Sequence, residues 1–228
     1  MKTILTLLLT AAISISYGQK RTVDVGSFDE LSLGISGTVY LKQGTNEKVE
    51  IKCDDEIFGK IEFDMKGDKL VIKREDKWNW NSGWRKSEVD IYITMKDIKG
   101  LSVSGSGSIE SEGDLDTDDI RLSVSGSGNM DLDLNSDEMD LRISGSGSIS
   151  LNGKANQAEA KISGSGRVKA EDLTVKIFEA SISGSGSCYI TATEEVSADI
   201  SGSGSVYYTG NPDRVIGNSS GSGKVRKM

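Results

Sequence analysis

Beyond residue 18, apolar and polar residues alternate along most of the chain. The runs are Leu31, Leu33 and Ile35; Val39 and Leu41; Val49 and Ile51; Ile61, Phe63 and Met65; Leu70 and Ile72; and Val89, Ile91 and Ile93. A period of two marks strands that bury one face, and turn signals such as Gln43-Gly44-Thr45-Asn46 and Lys66-Gly67-Asp68 separate the runs. From residue 101 the alternation becomes a repeat. Ser-Gly-Ser-Gly begins at Ser104, Ser125, Ser144, Ser163, Ser183, Ser201 and Ser220, at intervals of 21, 19, 19, 20, 18 and 19 residues. A near-constant period of this length is the mark of a solenoid.

The columns around the tetrapeptide say what kind. The residue before it is Val103, Val124, Ile143, Ile162, Ile182, Ile200 and then Ser219. Three before it stand Leu101, Leu122, Leu141, Ala160, Ala180, Ala198 and Gly217; five after its first serine come Ile109, Met130, Ile149, Val168, Cys188, Val206 and Val225. All these positions are odd offsets from that serine, so in a strand they share one face, which a 3.6-residue period would not allow. The pattern predicts an all-β parallel β-helix with a narrow core. By the same parity both glycines of each tetrapeptide point inward and both serines outward. The general handedness of parallel crossovers predicts right-handed coiling. Residues 19–99 lack the tetrapeptide, although Ile35-Ser36-Gly37-Thr38-Val39 is a degenerate copy, and they are expected to form an irregular β-rich N-terminal cap over coils spanning 100–228.

Composition then changes its meaning. Glycine and serine fill 60 of 228 positions, a share that suggests a flexible chain when unphased, but here fourteen of each fall in the seven tetrapeptides. With no histidine in the chain, a Ser-His-Asp triad, a His-ligated zinc site and imidazole acid–base catalysis are excluded. Lys2, the apolar run from Ile4 to Ile15, and Ser16 and Gly18 around Tyr17 have the form of a secretory signal peptide, residues 1–18. The expected location is the periplasm, the cell surface or the medium. No cysteine near residue 18 calls for a lipid anchor, and no later stretch is suited to span a membrane. Without residues 1–18, 26 basic and 35 acidic side chains leave a net charge of −9, which disfavours a nucleic-acid partner.

These residues resemble a known family. The run from Phe28 through Gly44, then Gly67-Asp68-Lys69-Leu70-Val71-Ile72-Lys73, then Val89 to Met95 leading into the phased coils from Leu101, is similar to the head GIN domain, also called the putative auto-transporter adhesin family or DUF2807. The resemblance covers about residues 28–223. It implies a pectin-lyase-like β-helix exported by bacteria of the Bacteroidetes type, with a role in adhesion.

Four features are candidates for chemistry. Trp78, Trp80 and Trp84 are the only tryptophans and lie within Lys77-Trp78-Asn79-Trp80-Asn81-Ser82-Gly83-Trp84-Arg85. Such a loop suits sugar stacking or partner binding. It equally suits a hairpin between the Leu70 and Val89 strands whose indoles close the end of the β-helix. Residues 110–140 hold 11 carboxylates against Arg121 alone. Stacked carboxylates bind calcium or form a glycosidase pair, but they also serve as a solvated face, and the Gly-Gly-x-Gly-x-Asp nonapeptide of calcium β-rolls is missing. Cys53 and Cys188 are open to pairing, although Cys188 holds a core column. The outward serines form rows of hydroxyls whose neighbours are expected to satisfy one another along the stack.

The resulting expectation is a non-enzymatic, exported binding protein or adhesin whose partner is a surface glycan or an envelope protein, with Trp78, Trp80 and Trp84 as candidate binding residues. No catalytic, cofactor-binding or metal-ligating residue is assigned. A polysaccharide-binding or polysaccharide-active protein is the alternative.

Overall fold

The computed structural model describes residues 20–75 and 88–228. Nearly all of these residues lie in one β-solenoid of about seven turns. The strands are β1 (Arg21–Val23), β2 (Glu30–Leu33), β3 (Thr38–Gln43), β4 (Lys48–Lys52), β5 (Ile61–Lys66), β6 (Lys69–Arg74) and β7 (Asp90–Met95). There follow β8 (Gly100–Gly105), β9 (Ser108–Ser111), β10 (Leu115–Gly126), β11 (Asn129–Gly145), β12 (Ser148–Gly164), β13 (Arg167–Gly184), β14 (Ser187–Gly202), β15 (Ser205–Gly210), β16 (Arg214–Gly221) and β17 (Lys224–Lys227). Each coil enters a Ser-Gly-Ser-Gly corner on a first arm and leaves it on a second. Every coil stacks in parallel register on the next, as in Leu122↔Leu141↔Ala160↔Ala180↔Ala198 on the first arm.

The predicted columns form the core. Ile109, Met130, Ile149, Val168, Cys188 and Val206 are all buried, as are Val103, Val124, Ile143, Ile162, Ile182 and Ile200. A further column runs Ile120, Met139, Ala158, Phe178 and Val196. Phe178 is fully buried and registers with Ala158 on one side and Val196 on the other.

The corner departs from simple alternation. Only the second glycine of each tetrapeptide is buried; the first, as at Gly126, Gly145 and Gly164, is partly exposed and has φ of 111°, 121° and 114°. The expectation that both glycines point inward is therefore corrected. A positive φ turns the chain at the first glycine, and the pleat resumes beyond it. The two glycines are needed for different reasons. A Cβ on Gly145 would lie 2.5 Å from the Gly126 carbonyl oxygen of the coil before, on a backbone that L-residues avoid. One on Gly147 would lie 2.4 Å from the Gly128 oxygen and 2.5 Å from Val124 Cγ1.

At the N-terminal end the chain doubles back. β2 lies between β6 and β8, and β3 between β7 and β9, so that β6 and β7 form the outermost parallel coil. The strands containing Leu70 and next to Val89 are thus two arms of one coil, each paired elsewhere, and not the two sides of a hairpin. Ile35-Ser36-Gly37 does act as a corner: Ser36 Oγ is 2.7 Å from Ser106 Oγ, and Ser108 N donates to the Gly37 oxygen at 2.9 Å. The outer edges of β6 and β7 are covered by β5 and β4 in antiparallel pairing, and β1 covers β4. A short helix, α1 (Asp55–Phe58), buries Ile57 beneath this cap. At the other end, Gly217 and Ser219 end the apolar columns, and Val225 crosses to the space above Gly217.

Gly147→Ala is expected to lower stability by about 1–3 kcal/mol, the range for forced overpacking. Phe178→Ala is expected to lose about 3–5 kcal/mol through the cavity it leaves. Both are read from urea midpoints, with a change at solvent-facing Ser146 leaving the midpoint in place.

Candidate binding surfaces

The acidic coil sits where the repeat is longest, at the 21-residue interval. The two additional residues fall between Ser111 and Leu115, where Glu112, Gly113 and Asp114 are exposed, and Gln43 of β3 holds the strand that follows. Gln43 Nε2 donates to the Lys96 and Asp116 carbonyls at 3.2 and 2.9 Å, and its Oε1 accepts from Asp116 N at 2.7 Å. Beside this clamp lies an open groove of about 830 Å³ whose walls include Lys99, Asp116, Arg121, Glu138, Asp140 and Glu159.

Several carboxylates of this region are engaged from neighbouring coils. Asn135 Nδ2 donates to Asp116 Oδ1 at 3.1 Å, and Asn152 Nδ2 to Asp133 Oδ1 at 2.8 Å, each from the following coil. Arg142 holds Asp140 with two hydrogen bonds, of 3.0 and 2.7 Å, and this contact raises the guanidinium pKa above its ordinary value. Arg121 bridges Glu30 and Asp140. Among the described residues no three histidine, cysteine, aspartate or glutamate side chains converge as a metal site. Amide-to-carboxylate ladders of this kind fix coil on coil and leave a hydrated, negatively charged wall.

The other candidates separate. Trp78, Trp80 and Trp84 lie outside the described residues. Cys53 is a buried free thiol in the cap and Cys188 a buried free thiol in the coil core. Burial pushes the Cys188 thiol up to about 12 and raises that of Cys53. Hydroxyl pairing along the corner occurs at Ser36 and Ser106, but is not repeated at later corners among the described residues; there the serine N–H donates to the first glycine's oxygen, as from Ser127 to Gly105 at 2.8 Å.

Two tyrosine stacks escaped the sequence reading. Tyr40 and Tyr92 stack at 5.2 Å near the cap, with the Lys20 ammonium 3.3 Å from the Tyr92 ring centre. Tyr189 and Tyr207 stack at 5.0 Å, with their planes 12° apart, on the second arm near the other end. The signal for the second was present: both tyrosines stand six residues after the first serine of their tetrapeptide, on the outward parity.

A model of the family described as putative auto-transporter adhesin, head GIN domain, matches residues 27–212. The chain belongs to this family. Among solved structures it is similar to a putative adhesin from Bacteroides fragilis NCTC 9343, with 27% identity and a TM-score of 0.85 over 92% of this chain and 96% of that one. A putative lipid binding protein from Parabacteroides distasonis ATCC 8503 shares the fold at 22% identity and a TM-score of 0.75, over 94% of this chain and 98% of that one. A putative adhesin from Parabacteroides merdae ATCC 43184 does so at 21% and 0.70, over 94% and 97%. No curated protein matches the chain. The head GIN family and the Bacteroides fragilis neighbour support an adhesin-like or binding role.

At about pH 8 a thiol reagent is expected to leave Cys188 unmodified in the folded protein and to label it rapidly in concentrated guanidinium. Mass spectrometry of the Cys188 peptide reads the difference.

Proposed function

We propose that this head GIN domain is an exported, non-enzymatic binding protein that acts at the cell surface or envelope through the outward faces of its coils. The observation that carries this is the stack itself. In-register parallel strands present outward side chains in straight rows, and the wall is rigid because its inward columns are close-packed. A regular, pre-organised surface of this kind suits extended ligands, since little ordering cost is left for binding. Export rests on the charged start, apolar run and small residues of 1–18. Among the described residues no helix is long and apolar enough to cross a membrane.

The acidic groove gives a second reading, a polysaccharide-active enzyme. Its carboxylates favour that reading; the engagement of Asp116 and Asp140 by Asn135 and Arg142 weighs against it.

The full chain with a C-terminal tag, expressed in a Gram-negative host, is expected to leave the cytoplasm shortened after Gly18 and to be retained by intact cells. Full-length chain confined to the cytoplasm would overturn export. Release of reducing ends from uronate-containing or neutral glycans, lost in an Asp116→Ala, Asp118→Ala variant, would establish the enzyme instead.

A further inference from the structure

The outward face of the second arm changes sign along the stack. Six residues after each first serine stand Glu110, Asp131, Ser150, Lys169, Tyr189, Tyr207 and Arg226, which register strand on strand. Four residues after it stand Ser108, Asn129, Ser148, Arg167, Ser187, Ser205 and Lys224. The early coils are acidic and polar on this face, whereas the last four bring four cations together. Arg167 and Lys169 lie on β13, and Lys224 and Arg226 on β17. Between them β14 and β15 place Ser187 and Ser205 beside the stacked rings of Tyr189 and Tyr207.

The dimensions follow from strand geometry. Residues two apart on a strand are ~7 Å apart, and β13 to β17 is three inter-strand steps, ~14 Å. The four cations therefore frame a flat rectangle with two phenols and two serine hydroxyls inside it. Thr191 and Thr209, whose hydroxyls pair at 2.5 Å, extend the hydroxyl rows on one side.

All four cations are exposed, and none has a carboxylate or hydrogen-bond partner among the described residues. On the first arm, by contrast, Arg121, Arg142, Lys161 and Arg214 each meet a carboxylate. Four like charges gathered this closely repel one another and gain no ion pair in return.

We propose that Arg167, Lys169, Lys224 and Arg226, framing the Tyr189–Tyr207 stack, form a binding site for an acidic polysaccharide bearing carboxylates or sulfate esters. This rests on reading the chain as a binding protein and names its ligand class. Charge selects the anion. The hydroxyl rows and phenols match a polymer rich in hydroxyls, and the inter-strand step is comparable to the length of one pyranose unit. The remaining acidic surface repels a polyanion and so confines contact to the frame. Nucleobases stack on open ring faces, and here one face of each tyrosine is taken up by the other. A membrane interface needs apolar side chains to insert; in these strands Val168, Cys188, Ile190 and Val206 are buried and Val225 packs on the core, which leaves the exposed Met228 at the end of β17 as the apolar side chain beside the frame.

The test measures retention of the full chain on immobilised polygalacturonate and chondroitin sulfate, with dextran as the neutral control. Vesicles of phosphatidylcholine with phosphatidylserine form a parallel arm. The expected result is binding to one or both acidic polymers and none to dextran, weakened by salt and lowered about tenfold or more by Lys169→Glu with Arg226→Glu. Lys154→Glu with Lys176→Glu, which reverses two exposed charges elsewhere, is expected to stay within about twofold. Absence of binding to both acidic polymers, or equal binding by the frame variant, overturns the site. Binding to the vesicles alone, lost in the same variant, overturns the glycan assignment. Retention by intact cells is scored with the same two variants: cell binding that survives the frame reversal keeps the surface-binding function and removes this site from it.

Discussion

The fold depends on one contact, the hydrogen bond that each corner makes to the corner of the coil before it. Ser146 N donates to the Gly126 oxygen, Ser165 N to Gly145, Ser185 N to Gly164 and Ser203 N to Gly184, all between 2.8 and 2.9 Å. The next rung, from Ser148, Arg167, Ser187 and Ser205 to the second glycine's oxygen, measures 3.0–3.1 Å. Both rungs need a glycine below and a glycine above, because a Cβ would stand where the carbonyl of the neighbouring coil stands. The backbone ladder thus passes around the corner unbroken, and the register that it sets decides which side chains reach the core. One slipped residue would turn every column of the arms inside out.

That register explains how much was legible in the sequence. The columns led by Val103, Leu101 and Ile109 were readable because burial imposes the same parity on every coil. The sense of the first glycine was not, since a residue with no side chain gives no parity signal and a positive φ leaves no trace in composition. A hairpin between the Leu70 and Val89 strands was one of two readings of the tryptophan segment, and adjacency along the chain does not decide between them. The pairing of these strands with β2 and β3 is a long-range choice, driven by the unsatisfied edges of that first coil. At the surface, the acidic run drew attention through its density, yet Asn135 and Asn152 engage its carboxylates from one coil away, a contact visible only once the coils are aligned. The tyrosine stack was overlooked because neither tyrosine is unusual alone; it becomes a feature only at a spacing of 18 residues.

The solenoid separates stability from recognition more cleanly than most folds. Inward positions carry packing and nearly all of the apolar surface, while outward positions are free to vary coil by coil. The result is a wall on which charge is written in rows: acidic in the early coils, basic in the last. A head GIN domain that binds extended partners can therefore differ from its relatives in what it recognises while keeping the same core.

The doubled-back N-terminal end sets an order of events in time. β2 and β3 are made early, but each acquires both parallel neighbours only when β6 and β7 have folded over one side and β8 and β9 have reached the other. A chain that emerges N-terminus first must therefore expose its earliest strands until about residue 111 has followed. Beyond that point each new coil finds a finished template and adds to it in sequence. Assembly of the molecule thus divides into one slow closure at the cap and a run of local additions toward the C-terminus.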